Sequence, residues 1–343
     1  MLQLAYLVSS LLLFGMDQQA LRSESRQENG RLTRHLVPIA ALLTAVLFPV
    51  FRDWRALAPV IALPLAWLAI RRSESLRDHS FSRYVRPYIA YQISVGACAI
   101  LLFLSGNDDW HWWLLPYALP ALIIFFIEIT KNWRVRPGKI LGHLNRVSLQ
   151  LLPSTIATLV VMRADRLLMP TLASNSQLGL YTAVATATEL IYWIAQSLAD
   201  HRVSRLSSSR NVISLIRSLA IDAIMFALVG TLSAFLISAI LIPLLGPGFV
   251  SARHLIIPLS IAAVVLAIYR QCIAWHLGGP YPGTVSVIEV TTAAFALPCY
   301  WFFIRSGGAL GAAWGSLAVY SFGVVVSLIT AILEKSRSRA ASV

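Results

Sequence analysis

Long apolar runs dominate this chain, and short polar connections break them at fairly regular intervals. A helix that crosses a bilayer needs about 20 mostly apolar residues. Eleven stretches meet that pattern: roughly 1–17, 35–51, 54–70, 86–105, 111–130, 147–169, 179–199, 214–245, 254–277, 283–304 and 309–333. The second and third are short, and the tight turn "FRDWR" keeps them apart. The eighth is longer than a bilayer is thick, so its first turn is read as interfacial. The pattern predicts an all-α polytopic membrane protein.

Composition agrees with that reading. Hydrophobic residues make up 57% of the chain and charged residues only 13%, against about 25% charged in soluble domains. No polar stretch is long enough to build a separate soluble domain. The opening "MLQLAYLVSSLLLFGM" lacks a basic leader and a small-residue cleavage site, so it reads as a retained helix. Cys98, Cys272 and Cys299 lie scattered in apolar runs, without metal or disulfide spacing.

The net charge of +13 would suit nucleic acid if the basic residues were clustered. They alternate instead. Connections one, two, three, five and seven carry 4, 2, 5, 5 and 4 Lys or Arg, whereas "SGNDDW" and "PTLASNSQ" carry none. By the positive-inside rule the odd connections and the C-terminus are cytoplasmic. No nucleic-acid partner is expected. Eleven spans then place the N-terminus outside, and one additional leading helix would restore an inside start. The basic connection "KNWRVRPGKILGHLNR" is the natural midpoint. It divides the chain into an N-terminal lobe of five helices (1–130), a cytoplasmic linker (131–146), a C-terminal lobe of six helices (147–335) and a cytoplasmic tail (336–343).

Charges inside apolar runs are costly, and they mark function or pairing. The stretch "VMRADRLLMP", residues 161–170, holds Arg163, Asp165 and Arg166. Arg163 lies about 11 Å below the outer end of its span and Glu189 about 15 Å into the next, at 1.5 Å per residue. An ion pair between them is expected. Arg163 and Arg166 share a helix face and Asp165 points elsewhere; snorkelling of the arginines to the outer headgroups is the plainer alternative. Glu289 is one candidate partner for Arg270, and Arg270 with His276 could line an inner vestibule or equally snorkel inward. Asp222 suits a structural salt bridge as well as a functional role. "GMDQQALR", residues 15–22, ends the first span with Arg22 at the inner face. Gly307, Gly311 and Gly315 repeat at spacing four, which favours close helix packing. Asp108–Asp109 is weak evidence for a glycosyltransferase. No nucleophilic triad, metal motif or Walker loop is visible, so neither an enzyme nor a cofactor is expected.

Four stretches carry a family resemblance. "RADRLLMPTLASNSQLGLYTAVATATEL" (163–190), "LIPLLGPGFVSA" (241–252), "GGALGAAWGSLAVY" (307–320) and "LLLFGMDQQALRSESR" (11–26) occur in order and at suitable spacing. Together they resemble the polysaccharide, or O-antigen, flippases of the multidrug/oligosaccharidyl-lipid/polysaccharide exporter superfamily. The resemblance implies twelve helices in two lobes around a central cavity, in the bacterial inner membrane. The first segment matches that family's second helix, so the first family helix is expected to be missing. The implied cargo is an undecaprenyl-pyrophosphate-linked oligosaccharide, flipped for surface polysaccharide synthesis by alternating access. The implied partners are membrane lipids, a polysaccharide polymerase and a chain-length regulator. Arg22, Arg163, Arg166 and Arg270 are the candidate cargo-binding residues, because arginine binds phosphate by paired hydrogen bonds. Asp165, Glu189 and Glu289 are the candidate ion-coupling residues. Rival readings are a cation-coupled multidrug antiporter, a membrane-embedded glycan polymerase or transferase, and an inactive truncated homologue. The longest outer connections, about eight residues, count against the polymerase.

Overall fold

The structure, a computed structural model, describes residues 81–106, 146–205, 212–279, 281 and 283–340, with a few single positions between 62 and 127. Arg22, Asp108 and Asp109 lie outside the described residues. Every described element is helical: α1 (Phe81–Leu104), α2 (Arg146–Leu172), α3 (Asn175–Arg205), α4 (Val212–Leu236), a π-turn (Ile237–Leu241), α5 (Ile242–Leu245), a 3-10 turn (Pro247–Ala252), α6 (Arg253–Leu277) and α7 (Gly283–Ala340). The chain forms two compact units, Met1–Ile156 and Ala157–Val343. In the first, α1 buries Tyr91 and leaves Ile93, Ile100, Leu101 and Leu104 exposed.

The second unit holds the candidate site. Four of its segments are long and apolar enough to cross a membrane: Asn175–Val203, Val212–Leu245, Pro247–Leu277 and Gly283–Glu334. α6 is the core helix. It packs against α3, α4 and α7, and it buries residues on all sides, from Leu255 to Leu277. Ile191 and Ala195 of α3 and Phe226 of α4 meet Ala263 and Ala267 of α6. Towards the other end of α6, Leu215 and Leu219 of α4 meet Cys272 and Trp275 of α6 and Ala331 of α7. The outward face of α4 is bare isoleucine, leucine and phenylalanine, including Ile221, Ile224, Leu228 and Phe235. A hydrocarbon solvent permits such a face; water does not.

Local sequence explains the breaks. Ser174 precedes α3 and its hydroxyl accepts the Gln177 amide at 3.2 Å, the usual bond of a serine N-cap. Pro243 has no N–H to give to the turn before it, and the helix ahead of it loosens into the π-turn. α7 spans 58 residues, far more than the roughly 20 that one crossing needs. It is two arms folded back at Gly308, whose φ of 56° is left-handed. These arms match the two final spans expected from the apolar pattern. Gln177 fixes the bend, its side-chain oxygen accepting the Ala309 amide at 3.0 Å. A Cβ at Gly308 would sit 2.0 Å from that oxygen. Gly311 and Gly315 pack against Phe303 and Tyr300 across the hairpin, while Gly307 faces open space. The small-residue face therefore packs two of its three glycines.

Gly308→Ala is expected to destabilise the protein by about 1–3 kcal/mol, from left-handed backbone strain and the clash with Gln177. Gly307→Ala should be neutral. Thermal unfolding of the two purified variants in detergent checks the contrast.

Candidate functional site

Helical spacing brings α2 and α3 together at Glu189. Arg163 Nη1 donates to Glu189 Oε1 at 3.0 Å, and Arg166 Nη2 donates to the same oxygen at 2.5 Å. The Arg163–Glu189 pair expected from matching depth is present, and Arg166 joins it. Snorkelling does not describe Arg166, whose side chain is only 10% exposed. One carboxylate thus serves two guanidinium groups that lie one helical turn apart.

Asp165 takes partners other than the arginine side chains. It is buried, accepting the Tyr181 hydroxyl and the Arg166 amide at 2.5 and 2.7 Å. The Tyr181 oxygen lies 3.2 Å from Ser316 Oγ, and the Tyr300 hydroxyl reaches both Ser316 and the Val161 carbonyl. Asp165 therefore ties α2, α3 and both arms of α7 together. Between these groups and α6 lies a small cleft, lined among others by Asp165, Arg166, Tyr181, Glu189, Tyr192, Leu259, Ser316 and Tyr320.

A second polar cluster lies further along α3. Gln196 is seven residues beyond Glu189, about 10 Å at 1.5 Å per residue. Arg270 Nε donates to Gln196 Oε1 at 2.8 Å and Arg270 Nη1 to Glu289 Oε1 at 3.2 Å. The guanidinium also sits 5.9 Å from the centre of the Tyr192 ring. Thr158 donates to the other Glu289 oxygen, and Gln196 Nε2 donates to Asp200 at 2.7 Å. The Arg270–Glu289 pair is thus present, and it joins α6 to α7. His276 turns to the second arm of α7. Its Nε2 lies 3.0 Å from the Ser327 carbonyl and its Nδ1 3.5 Å from Glu334. Near the end of α3, Arg202 holds Asp222 of α4 through both guanidinium nitrogens and donates to Gln271 at 3.1 Å. Gln271 in turn donates to the Ala195 carbonyl at 2.8 Å. Asp222 is the structural salt bridge.

Charge counting alone passes over Tyr181, Ser316, Gln196 and Gln271. The glutamines did carry a signal, since an amide inside an apolar run demands partners. Nothing in the sequence distinguishes Tyr181 or Ser316 from other interfacial tyrosines and serines.

No family model matches the sequence, and no curated protein matches it. Solved structures do. A multidrug resistance MATE family transporter of the MOP superfamily, in its outward-facing conformation, aligns over 98% of this chain and 85% of its own, with 12% identity and a TM-score of 0.68. The Vibrio cholerae MATE transporter VcmN in its bent form aligns over 98% and 85%, with 13% identity and a TM-score of 0.59. A MOP superfamily transporter from Pyrococcus furiosus, whose reverse-polarity binding pocket suggests a different function, aligns over 100% and 86%, with 13% identity and a TM-score of 0.57. The fold is the all-helical fold of these transporters.

Arg202→Ala strands the buried Asp222 and is expected to cost about 3–5 kcal/mol, as for other broken buried pairs. The neutral double variant Arg202→Gln/Asp222→Asn should recover most of that loss. Unfolding temperatures of the single and double variants in detergent check it.

Proposed function

We propose that the chain is a transporter of this fold that moves an anionic, lipid-linked oligosaccharide from the inner to the outer leaflet by alternating access. The observation that supports it is the convergence of Arg163 and Arg166 on one carboxylate beside the cleft. Two guanidinium groups one turn apart suit the oxygens of a phosphoryl headgroup. The motif order shared with polysaccharide flippases points the same way. The polar headgroup would travel inside the protein while the lipid tail stayed in hydrocarbon, because charge is excluded from the bilayer core. Arg22 is proposed as a further cargo contact. Arg270 is engaged by Gln196, Glu289 and Tyr192, so a cargo role for it requires release from that cluster. Asp165, Glu189 and Glu289 are the proposed sites of proton or sodium uptake. The proposed location is the bacterial inner membrane with a cytoplasmic C-terminus, beside a polysaccharide polymerase and a chain-length regulator, and residues 1–130 and 147–335 are the proposed lobes.

A second reading, a cation-coupled multidrug antiporter, is favoured by the cleft lining itself. There, Asp165 and Glu189 stand against one guanidinium, that of Arg166. An excess of carboxylate suits a cationic drug.

The deciding experiment expresses the chain in a bacterium that lacks its own polysaccharide flippase but carries the matching glycosyltransferases. Restored surface polymer is expected, falling to background for Arg163→Ala and Arg166→Ala at equal protein levels. Absent polymer together with active efflux of ethidium would establish the antiporter instead.

A further inference from the structure

The pairing at Glu189 is incomplete in a specific way. Both arginines use the same oxygen, Oε1. Arg166 contributes Nη2 to it, while its Nε is buried and has no hydrogen-bond partner among the described residues. Nε and Nη2 form the side-on fork by which a guanidinium grips two oxygens of one anion. Glu189 occupies one prong and leaves the other empty. An unmade hydrogen bond at a buried donor is costly, and this one belongs to a side chain that lines the cleft. Tyr181, Tyr320 and Ser316 line the same cleft, and Asp165 accepts the Tyr181 hydroxyl.

We infer that Glu189 is an internal counter-anion, and that an oxyanion entering the cleft displaces it from the Arg166 fork. A phosphoryl group can offer two oxygens to Nε and Nη2 at once, which Glu189 does not do here. Glu189 balances the charge of the arginines when the site holds no ligand, and its removal is the condition for binding. The four charges Arg163, Arg166, Asp165 and Glu189 sum to zero, so the resting site attracts no small anion strongly. The inference rests on the anionic-cargo reading above. It assigns Glu189 the reverse of a helper's role: a competitor for the site.

The test titrates inorganic pyrophosphate into the purified full chain in detergent, followed by calorimetry. Glu189→Gln is expected to bind it about tenfold more tightly than the native chain, because a charged hydrogen-bond competitor is gone. Arg166→Gln in the same background should erase the gain, and Arg166→Lys should not restore it, since lysine has no fork. Unchanged or weaker binding by a stably folded Glu189→Gln overturns the inference. If that variant does not fold, Glu189→Gln/Arg163→Gln restores the charge balance. It must then bind more tightly than Arg163→Gln alone, and equal or weaker binding again overturns the inference. Repeating the titration in bilayer discs containing phosphatidic acid identifies the source of the oxyanion. Competition by the lipid names a membrane-borne phosphate and its absence a soluble one, and both support the exchange. The polymer assay separates the two proposals. Restored polymer with unchanged Glu189→Gln binding defeats the exchange alone. Tighter binding without polymer or cognate transport defeats the oligosaccharide cargo and leaves the exchange standing.

Discussion

A guanidinium among apolar helices must meet an acceptor, because neither water nor lipid supplies one there. That requirement organises the second unit. Arg163 and Arg166 reach from α2 to Glu189 on α3, Arg202 reaches from α3 to Asp222 on α4, and Arg270 reaches from α6 to Glu289 on α7. Each pair joins two different helices. The pairs therefore specify which faces meet, a task that lipid-like side chains perform poorly when the solvent is itself apolar. α3 is at the centre of this arrangement. Glu189, Gln196 and Asp200 recur at spacings of seven and four, so they form one polar stripe along the helix.

Around this polar seam the packing is close. α6 is enclosed by α3, α4 and α7, and the two arms of α7 approach through Gly311 and Gly315. Phe295 and Phe322 stack across the same hairpin with ring centres 4.2 Å apart. The bend at Gly308 and the π-turn before Pro243 are where regular helix gives way. Both lie where a span ends and the chain turns back.

The neighbouring folds include multidrug transporters and one transporter whose pocket polarity is reversed. A shared backbone thus leaves the cargo to the side chains. In this chain the decisive feature is balance. The cluster at Glu189 is neutral as a whole yet uneven in its hydrogen bonding, with one carboxylate oxygen shared by two arginines and one donor left over. Such a group keeps a donor in reserve, whereas the Arg202–Asp222 pair, joined through two nitrogens, is a fastening.

Much of this was legible in the sequence. From residue 175 onward the span positions followed from hydropathy, because any residue facing hydrocarbon must be apolar and every backbone group must be bonded within its own helix. The embedded charges announced themselves for the same reason. Depth arithmetic on consecutive helices was enough to pair Arg163 with Glu189, while for Arg270 it left Glu289 and inward snorkelling as equal alternatives. What it could not reach was direction about the helix axis and distance across the bundle. Only the tertiary structure decided that Arg166 shares Glu189, that Tyr181 and Ser316 secure Asp165, that Gln196 holds Arg270, and that His276 turns to Ser327. Periodicity reports which residues avoid lipid, whereas the partner of a buried polar group depends on how several helices rotate against one another.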